Sequence, residues 1–336
     1  MFFNLIKAMF FIYTTDQVHE FIMKQMKFMN EKNLEWIFYQ KVPIKKIKCM
    51  GIIFKNPLGL AAGLDKNGDC INIFSAMGFG FIEIGTVTPK AQYGNLKPRI
   101  FHLQQVHGII NNLGFNNKGV DYLIENIKKS KFKGILGINV GKNKNTPVEN
   151  SKNDFLICIK KVYPYASYIT VNISSPNTIS IDKLKFNENL NEILKAIKKQ
   201  QNKLCKYYNK YVPITIKISP DMKDSELIQM ADSLIKNKID GVIATNTTIN
   251  RNLVTGLKHD TQKGGLSGKP LQFRSTEVIK ILSKELKGKI PIIGVGGIDS
   301  AISAREKIKY GASLIQIHSG LLFHGPKLIQ KILYNI

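Results

Sequence analysis

Many of the side chains that could do chemistry in this sequence directly follow short apolar runs that alternate like β-strands. In the stretch "YITVNISSPNT", residues 168–178, an alternating run is followed at once by serines, an asparagine and a threonine. Such groups donate and accept hydrogen bonds without carrying formal charge. They suit a small, planar, anionic substrate that is rich in carbonyl and N–H groups. Groups that form hydrogen bonds also end other runs or the loops that follow them: Lys66, Thr86, Asn111, Asn139, Asn172, Lys217, Thr245, Asn246 and Thr247.

The ends of these runs lack several kinds of catalytic group. They include no pair of carboxylates, no histidine cluster and no set of metal ligands, and Asp65 is the only obvious carboxylate. We therefore expect no metal site. Because no side chain there can accept electrons, redox chemistry would require a bound cofactor. Lys217, at the end of a central run, is suited to stabilising negative charge that develops on such a cofactor.

Glycine-rich turns follow the last runs. The segments "GGLSG", "GVGG" and "IHSG" contain Gly268, Gly296, Gly297 and Ser319. In barrels of alternating strands and helices, backbone N–H groups of such turns commonly bind phosphate. One such turn would be weak evidence, because glycine is common where a strand passes into a helix. Three turns that converge on one face predict a phosphate site.

The order of elements predicts an α/β fold of the (β/α)8 TIM barrel type. Helical patterns separate the runs, for example at 225–238. Two doubly wound sheets fit less well, because no GxGxxG segment follows an early strand. The long segments 88–118 and 247–270 should leave from the carboxyl ends of strands, where such barrels build their sites. The eight runs are 57–63, 81–87, 135–141, 168–174, 213–219, 241–246, 291–297 and 314–320.

Residues 1–40 stand apart from this repeat and form a separate N-terminal unit before the barrel at 41–336. Residues 1–13 are mostly apolar, and 16–30 have a helical pattern. One interpretation is a helical hairpin that caps the barrel floor. The other is a pair of interfacial helices that enters one leaflet of a membrane. The pattern places one set of apolar residues on a single helical face: Val18, Phe21, Ile22, Met26, Phe28 and Met29.

The chain is strongly basic, with a formal net charge of +25 over 336 residues. Charge of this size can indicate nucleic-acid binding. Arginine, however, occurs only at 99, 251, 274 and 305, whereas lysine, isoleucine and asparagine are frequent throughout. This pattern is typical of an AT-rich coding sequence, and we expect no nucleic-acid partner. The four cysteines show no CxxC or metal-ligand spacing and are expected to be reduced.

The motifs at the run ends resemble those of the dihydroorotate dehydrogenases, specifically the quinone-dependent class 2 family. The similar segments are "NPLGLAAGLDKNG", "IEIGTVTP", "INNLGFNN", "GINVGKNK", "VNISSPNT", "GVIATNTT", "GGLSGKPL" and "IIGVGGI". The resemblance implies an FMN-binding barrel that oxidises (S)-dihydroorotate to orotate in pyrimidine (UMP) biosynthesis and passes the electrons to a ubiquinone-type quinone. It also favours the interfacial interpretation of residues 1–40, with a quinone tunnel. A monomer bound peripherally to the cytoplasmic face of the inner membrane is then expected.

The resemblance also implies roles for individual residues. It assigns the catalytic base to Ser175, at a position where class 1 relatives have cysteine. His19 and His102 fall in the quinone site. The residues that match substrate contacts are Lys66, Asn111, Asn112, Leu113, Gly114, Phe115, Asn172, Asn177, Asn246 and Thr247. The residues that match flavin contacts are Ala61, Ala62, Gly63, Lys66, Thr86, Asn139, Asn172, Lys217, Thr245, Gly268, Gly297, His318 and Ser319.

Three positions depart from the family pattern. The lid that follows the base has the sequence "ISID" at 179–182 instead of the usual Pro-Gly-Leu-Arg. His102 replaces the arginine expected in the quinone site, which removes a fixed charge and a bidentate donor. His318 replaces a tyrosine beside the flavin phosphate. A second possibility is therefore a dihydroorotate oxidoreductase with the same flavin but an impaired or different electron acceptor.

Overall fold

A computed structural model describes residues 15–174 and 188–336, and its centre is a closed barrel of eight parallel strands. This confirms the predicted (β/α)8 architecture. Each strand of the barrel overlaps one predicted run, and the run 81–87 coincides with its strand. Around the barrel the strands are β3 (Leu58–Leu60), β4 (Phe81–Val87), β7 (Ile135–Val140), β8 (Tyr168–Asn172), β9 (Ile214–Ile218), β10 (Gly241–Ala244), β12 (Ile292–Val295) and β13 (Ala312–Ile317), which pairs with β3.

Helices cover the outside of the barrel and pack on the strands through apolar stripes. In α6 (Asp224–Lys236), the apolar residues Leu227, Met230, Ala231 and Leu234 recur at helical spacing and are buried. The helices are α1 (Thr15–Glu31), α2 (Ile71–Ala76), α3 (Val120–Lys129), α4 (Ser151–Val162), α5 (Glu188–Tyr208), α6 (Asp224–Lys236), α7 (Gln272–Leu286), α8 (Ala301–Lys309), α9 (Ser319–His324) and α10 (Lys327–Leu333). Short 3-10 turns lie at Glu35–Phe38, Gln104–Val106, Val148–Asn150 and Lys269–Leu271.

A short hairpin closes the amino-terminal end of the barrel. Its strands are β1 (Ile47–Cys49) and β2 (Ile52–Phe54), paired antiparallel. Cys49 and Phe54 pack in one buried cluster with Phe81 and Tyr168, the first residues of β4 and β8. The floor is therefore filled by this hairpin.

The two long excursions pair with each other above the opposite end of the barrel. Segment 88–118 forms β5 (Ile100–Leu103) and β6 (Gly108–Asn111), and segment 247–270 contributes β11 (Gly265–Gly268). The three strands make an antiparallel sheet in the order β11-β6-β5. The prediction that both loops leave from the site face is thus confirmed, and the sheet forms a wall over that face.

Helix α1 lies at the site end of the barrel, so the interpretation as a floor cap is wrong for the described part of residues 1–40. Val18 and Met26 are buried, whereas Phe21 and Phe28 are 45% and 52% exposed. The single apolar face predicted for this helix is therefore divided, with two aromatic rings directed to solvent. Within the described ranges, no helix is long and apolar enough to cross a membrane.

Candidate functional site

One cavity of about 650 Å³ connects the carboxyl ends of the barrel strands to the inner face of α1. It brings together predicted residues that lie far apart in the sequence, from helix α1 to the end of β13. The predicted residues that line it are His19, Ala61, Ala62, Gly63, Lys66, Thr86, His102, Asn111, Leu113, Gly114, Phe115, Asn172, Lys217, Thr245, Asn246, Thr247, Gly268, Gly297, His318 and Ser319.

Four predicted site residues are not among those that line the cavity. Ser175 and Asn177, like the 179–182 lid, lie outside the described residues. Asn112 is held in the loop wall, where Asn95 Nδ2 donates to its side-chain oxygen at 2.8 Å. Asn139 is fully buried behind the cavity surface. Of these four residues, Asn139 acts on the site indirectly, through hydrogen bonds that orient a side chain lining the cavity.

A chain of hydrogen bonds links the barrel interior to the cavity through Asn139. Asn139 Nδ2 donates to Glu83 Oε1 at 2.7 Å, and Thr86 Oγ1 donates to Asn139 Oδ1 at 2.6 Å. Asn172 Nδ2 then donates to Thr86 Oγ1 at 3.2 Å, and Asn246 Nδ2 donates to Asn172 Oδ1 at 3.2 Å. Because every amide has one face committed to this chain, its orientation towards the cavity is fixed.

The chain also secures the residue before the predicted base. Ser174 Oγ donates to the backbone oxygen of Lys217 at 2.8 Å, and Asn246 Nδ2 donates to the backbone oxygen of Ser174 at 3.1 Å. Ser174 N donates to Asn172 Oδ1 at 3.3 Å. The strand end from which the 175–178 segment departs is therefore held by the backbone of β9 and by the side chain of Asn246, which follows β10.

Lys66 and Lys217 place two ammonium groups in the cavity, which is also lined by Lys269 and by the carboxylate of Asp299. Lys217 is buried, and burial lowers its pKa, whereas the nearby charge of Glu83 raises it. Burial lowers the pKa of Lys66 to about 8, with a further contribution from Arg99. Among the described residues, neither ammonium group has a hydrogen-bond partner. A site of this kind favours an anionic ligand, which would restore the solvation that the two groups lose.

The glycines predicted to hold phosphate are required by close backbone packing. At Gly268, φ is +91° and an added Cβ would lie 2.1 Å from the backbone oxygen of His107. At Gly297, φ is +71° and a Cβ would lie 2.3 Å from Gln272 Cα. Only glycine fits either position, so both turns present bare backbone to the cavity. Beside them, the hydroxyls of Ser319 and Ser267 lie 2.8 Å apart in a hydrogen bond.

The upper part of the cavity is apolar and lies beneath α1. Methionines from that helix and the side chain of His102 from β5 form its wall, and the ring of Phe323 lies 5.6 Å from that of His102. Burial lowers the pKa of His102 to about 4 and that of His19 to about 3; the positive charge of Lys66 also lowers the pKa of His19. Both imidazoles are therefore neutral near pH 7. The residues of this part of the wall include Ile22, Met23, Met26, Met29 and Phe38.

His318 is neutral as well. Burial, followed by the charges of Lys66 and Lys217, lowers its pKa to about 3. Its Nε2 would lie 3.1 Å from a Cβ added at Gly63, so the ring rests against the turn after β3. An uncharged ring in this place adds no third cation to the pair of lysines.

Sequence reasoning missed the buried carboxylate of Glu83 and noted only that of Asp65. Glu83 Oε2 accepts from Tyr168 OH and Gln316 Nε2, each at 2.8 Å. The signal was the acidic residue within an otherwise apolar strand, "FIEIGTV". Asp65 accepts from the backbone N–H groups of Asp69 and Cys70 at 2.8 and 2.9 Å, and burial raises its pKa to about 6. Asp65 therefore shapes the turn after β3, and it does not line the cavity.

The residues present fit a flavin phosphate cofactor. The backbone N–H groups at Gly268 and Gly297 could bind a phosphate group. The buried ammonium group of Lys217 could stabilise a ring system that becomes negatively charged when it is reduced. The amides of Asn172 and Asn246 could bind a planar substrate that carries carbonyl and N–H groups. The site therefore has a phosphate end, a polar centre and an apolar end.

Comparisons with known proteins agree with this geometry. The family model for dihydroorotate dehydrogenase matches residues 44–336. The chain is 60% identical to dihydroorotate dehydrogenase (quinone) of Baumannia cicadellinicola subsp. Homalodisca coagulata and 58% identical to that of Yersinia enterocolitica, over the whole of both chains in each case. The crystal structure of DHODH from Eimeria tenella in complex with ferulenol superposes with a TM-score of 0.86 at 32% identity, covering 94% of this chain and 90% of that one. The chain therefore belongs to the dihydroorotate dehydrogenase family.

Proposed function

We propose that this protein oxidises (S)-dihydroorotate to orotate with bound FMN and transfers the electrons to a membrane quinone, as a step of pyrimidine biosynthesis. The observation that carries the proposal is the continuity of one cavity from the polar strand ends to the apolar space under α1. A small polar substrate and a hydrophobic oxidant need opposite surroundings, and this cavity offers both. The relatives named as quinone enzymes, similar over their full length, support the same reaction.

When bound, FMN supplies the chemistry that the side chains lack, by accepting a hydride equivalent from C6 of the substrate. Ser175 takes the proton from C5. A serine hydroxyl is a weak base in water, and it needs a shielded pocket that stabilises its deprotonated form. Lys66 provides positive charge in the same cavity, and the anchored Ser174 fixes where the Ser175 segment begins.

The residues of the hydrogen-bond chain orient the substrate. Asn172 and Asn246 donate and accept along the edge of the pyrimidine ring, together with Asn111, Thr247 and Asn177. Asn111 is itself positioned, because its Nδ2 donates to the backbone oxygen of Gly265 in β11 at 3.3 Å. Pre-oriented amides lower the cost of ordering the ligand.

The quinone enters beneath α1, against the methionines and beside His19 and His102. Because His102 is neutral, it can donate one hydrogen bond to a quinone oxygen or accept one from a quinol hydroxyl, but it offers no fixed positive charge. A second candidate function is therefore oxidation of dihydroorotate with an electron acceptor other than a membrane quinone. It is favoured by histidine at position 102, where the family pattern has arginine. The exposed aromatic rings of α1 support a peripheral position on a membrane surface. The resemblance to the class 2 enzymes supports the cytoplasmic face of the inner membrane and a monomeric chain.

The test is an anaerobic titration of the purified yellow protein with dihydroorotate, followed by a ubiquinone analogue, with the flavin absorbance as readout. Bleaching and then recovery of the absorbance are expected. Bleaching without recovery would favour a different electron acceptor. A protein that binds FMN but is never bleached by dihydroorotate would overturn the proposed reaction.

A further inference from the structure

Two histidines and one aspartate from separate parts of the chain meet at the rim of the cavity. His107 lies between Gln104–Val106 and β6, Asp299 follows the glycine turn after β12, and His324 ends α9. Asp299 Oδ2 lies 3.9 Å from His107 Nδ1 and 4.0 Å from His324 Nε2. The three candidate ligand atoms all lie within 4.8 Å of one another. None of the three residues has a role in the proposed reaction.

The distances suit an intervening ion better than direct contact. Both histidine–aspartate separations exceed the length of a hydrogen bond. Tetrahedral zinc holds imidazole nitrogen and carboxylate oxygen at about 2.0–2.2 Å, which places two ligand atoms roughly 3.4 Å apart. The two histidine–aspartate atom pairs would therefore have to move closer by about half an ångström, and the histidine–histidine pair by a little over one ångström at most. The side chains of His107 and His324 are 45% and 33% exposed, so their rings have room for this adjustment.

The surroundings hold two of the three candidate ligands, Asp299 and His107. Ser303 Oγ accepts from the backbone N–H of Asp299 at 3.1 Å and donates to its Oδ1 at 3.4 Å, which leaves Oδ2 turned to the histidines. The backbone oxygen of His107 accepts from Lys269 N at 3.2 Å. The His107 ring stacks on Phe323, with centroids 5.2 Å apart. Outer contacts of this kind orient metal ligands and tighten binding.

We propose that His107, Asp299 and His324 form a zinc site, with water as the fourth ligand. Two imidazoles and one carboxylate with an open position are a common zinc ligand set. The bound ion would join the β5–β6 connection to α9 across the mouth of the cavity. It would also hold Phe323, which packs between His107 and His102, in one position.

The test is a calorimetric titration of the purified flavin-loaded protein, without a histidine tag, with zinc chloride in a buffer that does not chelate metal. We expect one zinc per chain. His107→Asn and His324→Gln should each weaken the affinity by about tenfold or more, because each removes one of three protein ligands. Asparagine suits position 107 because φ there is +46°, in the left-handed region.

The matched control is His259→Asn, which replaces another partly exposed histidine at positive φ, +76°, outside the cluster. It should bind zinc as the wild type does. Zinc should also raise the Tm of the wild type and of His259→Asn, and it should raise the Tm of the two ligand variants by less at the same zinc concentration. Flavin content and Tm without zinc show whether each variant is folded. Equal zinc affinity in all four proteins, or no zinc binding by the wild type, would overturn the site.

Discussion

The Thr86 hydroxyl donates to Asn139 Oδ1 at 2.6 Å, so a buried asparagine that does not reach the cavity sets the direction of a side chain that does. Asn139→Ala should leave the Thr86 hydroxyl without its acceptor and Glu83 Oε1 without its donor, at a cost of about 1–3 kcal/mol of unfolding free energy. It should also weaken FMN binding, measured by dialysis. Asn237→Ala is the control, because Asn237 is buried and makes two hydrogen bonds outside the site. We expect a similar stability loss there with full flavin content; equal flavin loss in both variants would contradict the positioning role.

The second prediction concerns Ser175. Ser175→Ala should keep bound FMN but lower the rate of flavin bleaching by dihydroorotate by about 100-fold or more, as expected for the loss of a general base. Ser175→Cys should recover part of that rate, because a thiol ionises closer to neutral pH than a serine hydroxyl. Stopped-flow absorbance measures both. Near wild-type bleaching in Ser175→Ala would falsify the assignment.

The third prediction concerns charge in the cavity. Lys217→Gln removes the buried ammonium group, so reduction of bound flavin should become harder and its midpoint potential should fall by about 30 mV or more, equivalent to about 1.4 kcal/mol. Lys142→Gln is the matched control. Lys142 is also buried but donates to the backbone oxygens of Asn143 and Thr146, and it does not line the cavity. A redox titration should show a normal potential in the control; an unchanged potential in Lys217→Gln would exclude this role.

The barrel and most of its site could be predicted because strand ends in such a barrel must converge. The run 81–87 consists mainly of apolar and β-branched residues bounded by turns, a local pattern that predicts a buried strand, and the structure has strand β4 over the same residues. The division of α1 could not be predicted, because both Phe21 and Val18 are apolar and only the packed partner decides which is covered. The role of Asn139 behind Thr86 also depends on the register of β4 against β7, a long-range relationship that no local pattern contains.

The fourth prediction follows from the depressed pKa of His102. With a native pKa of about 4 against about 6.5 when unfolded, His102 resists protonation in the folded state. As pH falls through this window the unfolded chain binds a proton that the native protein does not, so stability decreases by at most about 1.4 kcal/mol per pH unit. His102→Gln should remove this loss. Urea unfolding should show a shallower decline from about pH 6.5 to about pH 4 in the variant, and a comparison at about pH 8 isolates its packing cost. Parallel profiles in the two proteins would contradict the prediction.

The fifth prediction tests the membrane surface. Phe28 and Trp36 are large and exposed, and they lie close in sequence to other exposed aromatic and aliphatic residues. Lys24 and Lys32, which lie near them in the sequence, are exposed as well. Aromatic rings flanked by lysines bind the interface of anionic bilayers. A Phe28→Ser and Trp36→Ser double variant should therefore lower sedimentation with anionic vesicles by about tenfold or more, since each ring contributes roughly 1.5–3 kcal/mol when buried.

Phe273→Ser is the control for the same experiment, because Phe273 is at least as exposed as Phe28 and Trp36 but lies on α7. It should sediment as the wild type does. Neither change touches a residue that lines the cavity, so flavin bleaching by dihydroorotate should stay normal in both proteins. Turnover with a long-chain quinone in vesicles should fall only in the double variant, since its oxidant is dissolved in the bilayer. Unchanged sedimentation of the double variant would show that the membrane meets another surface of the protein.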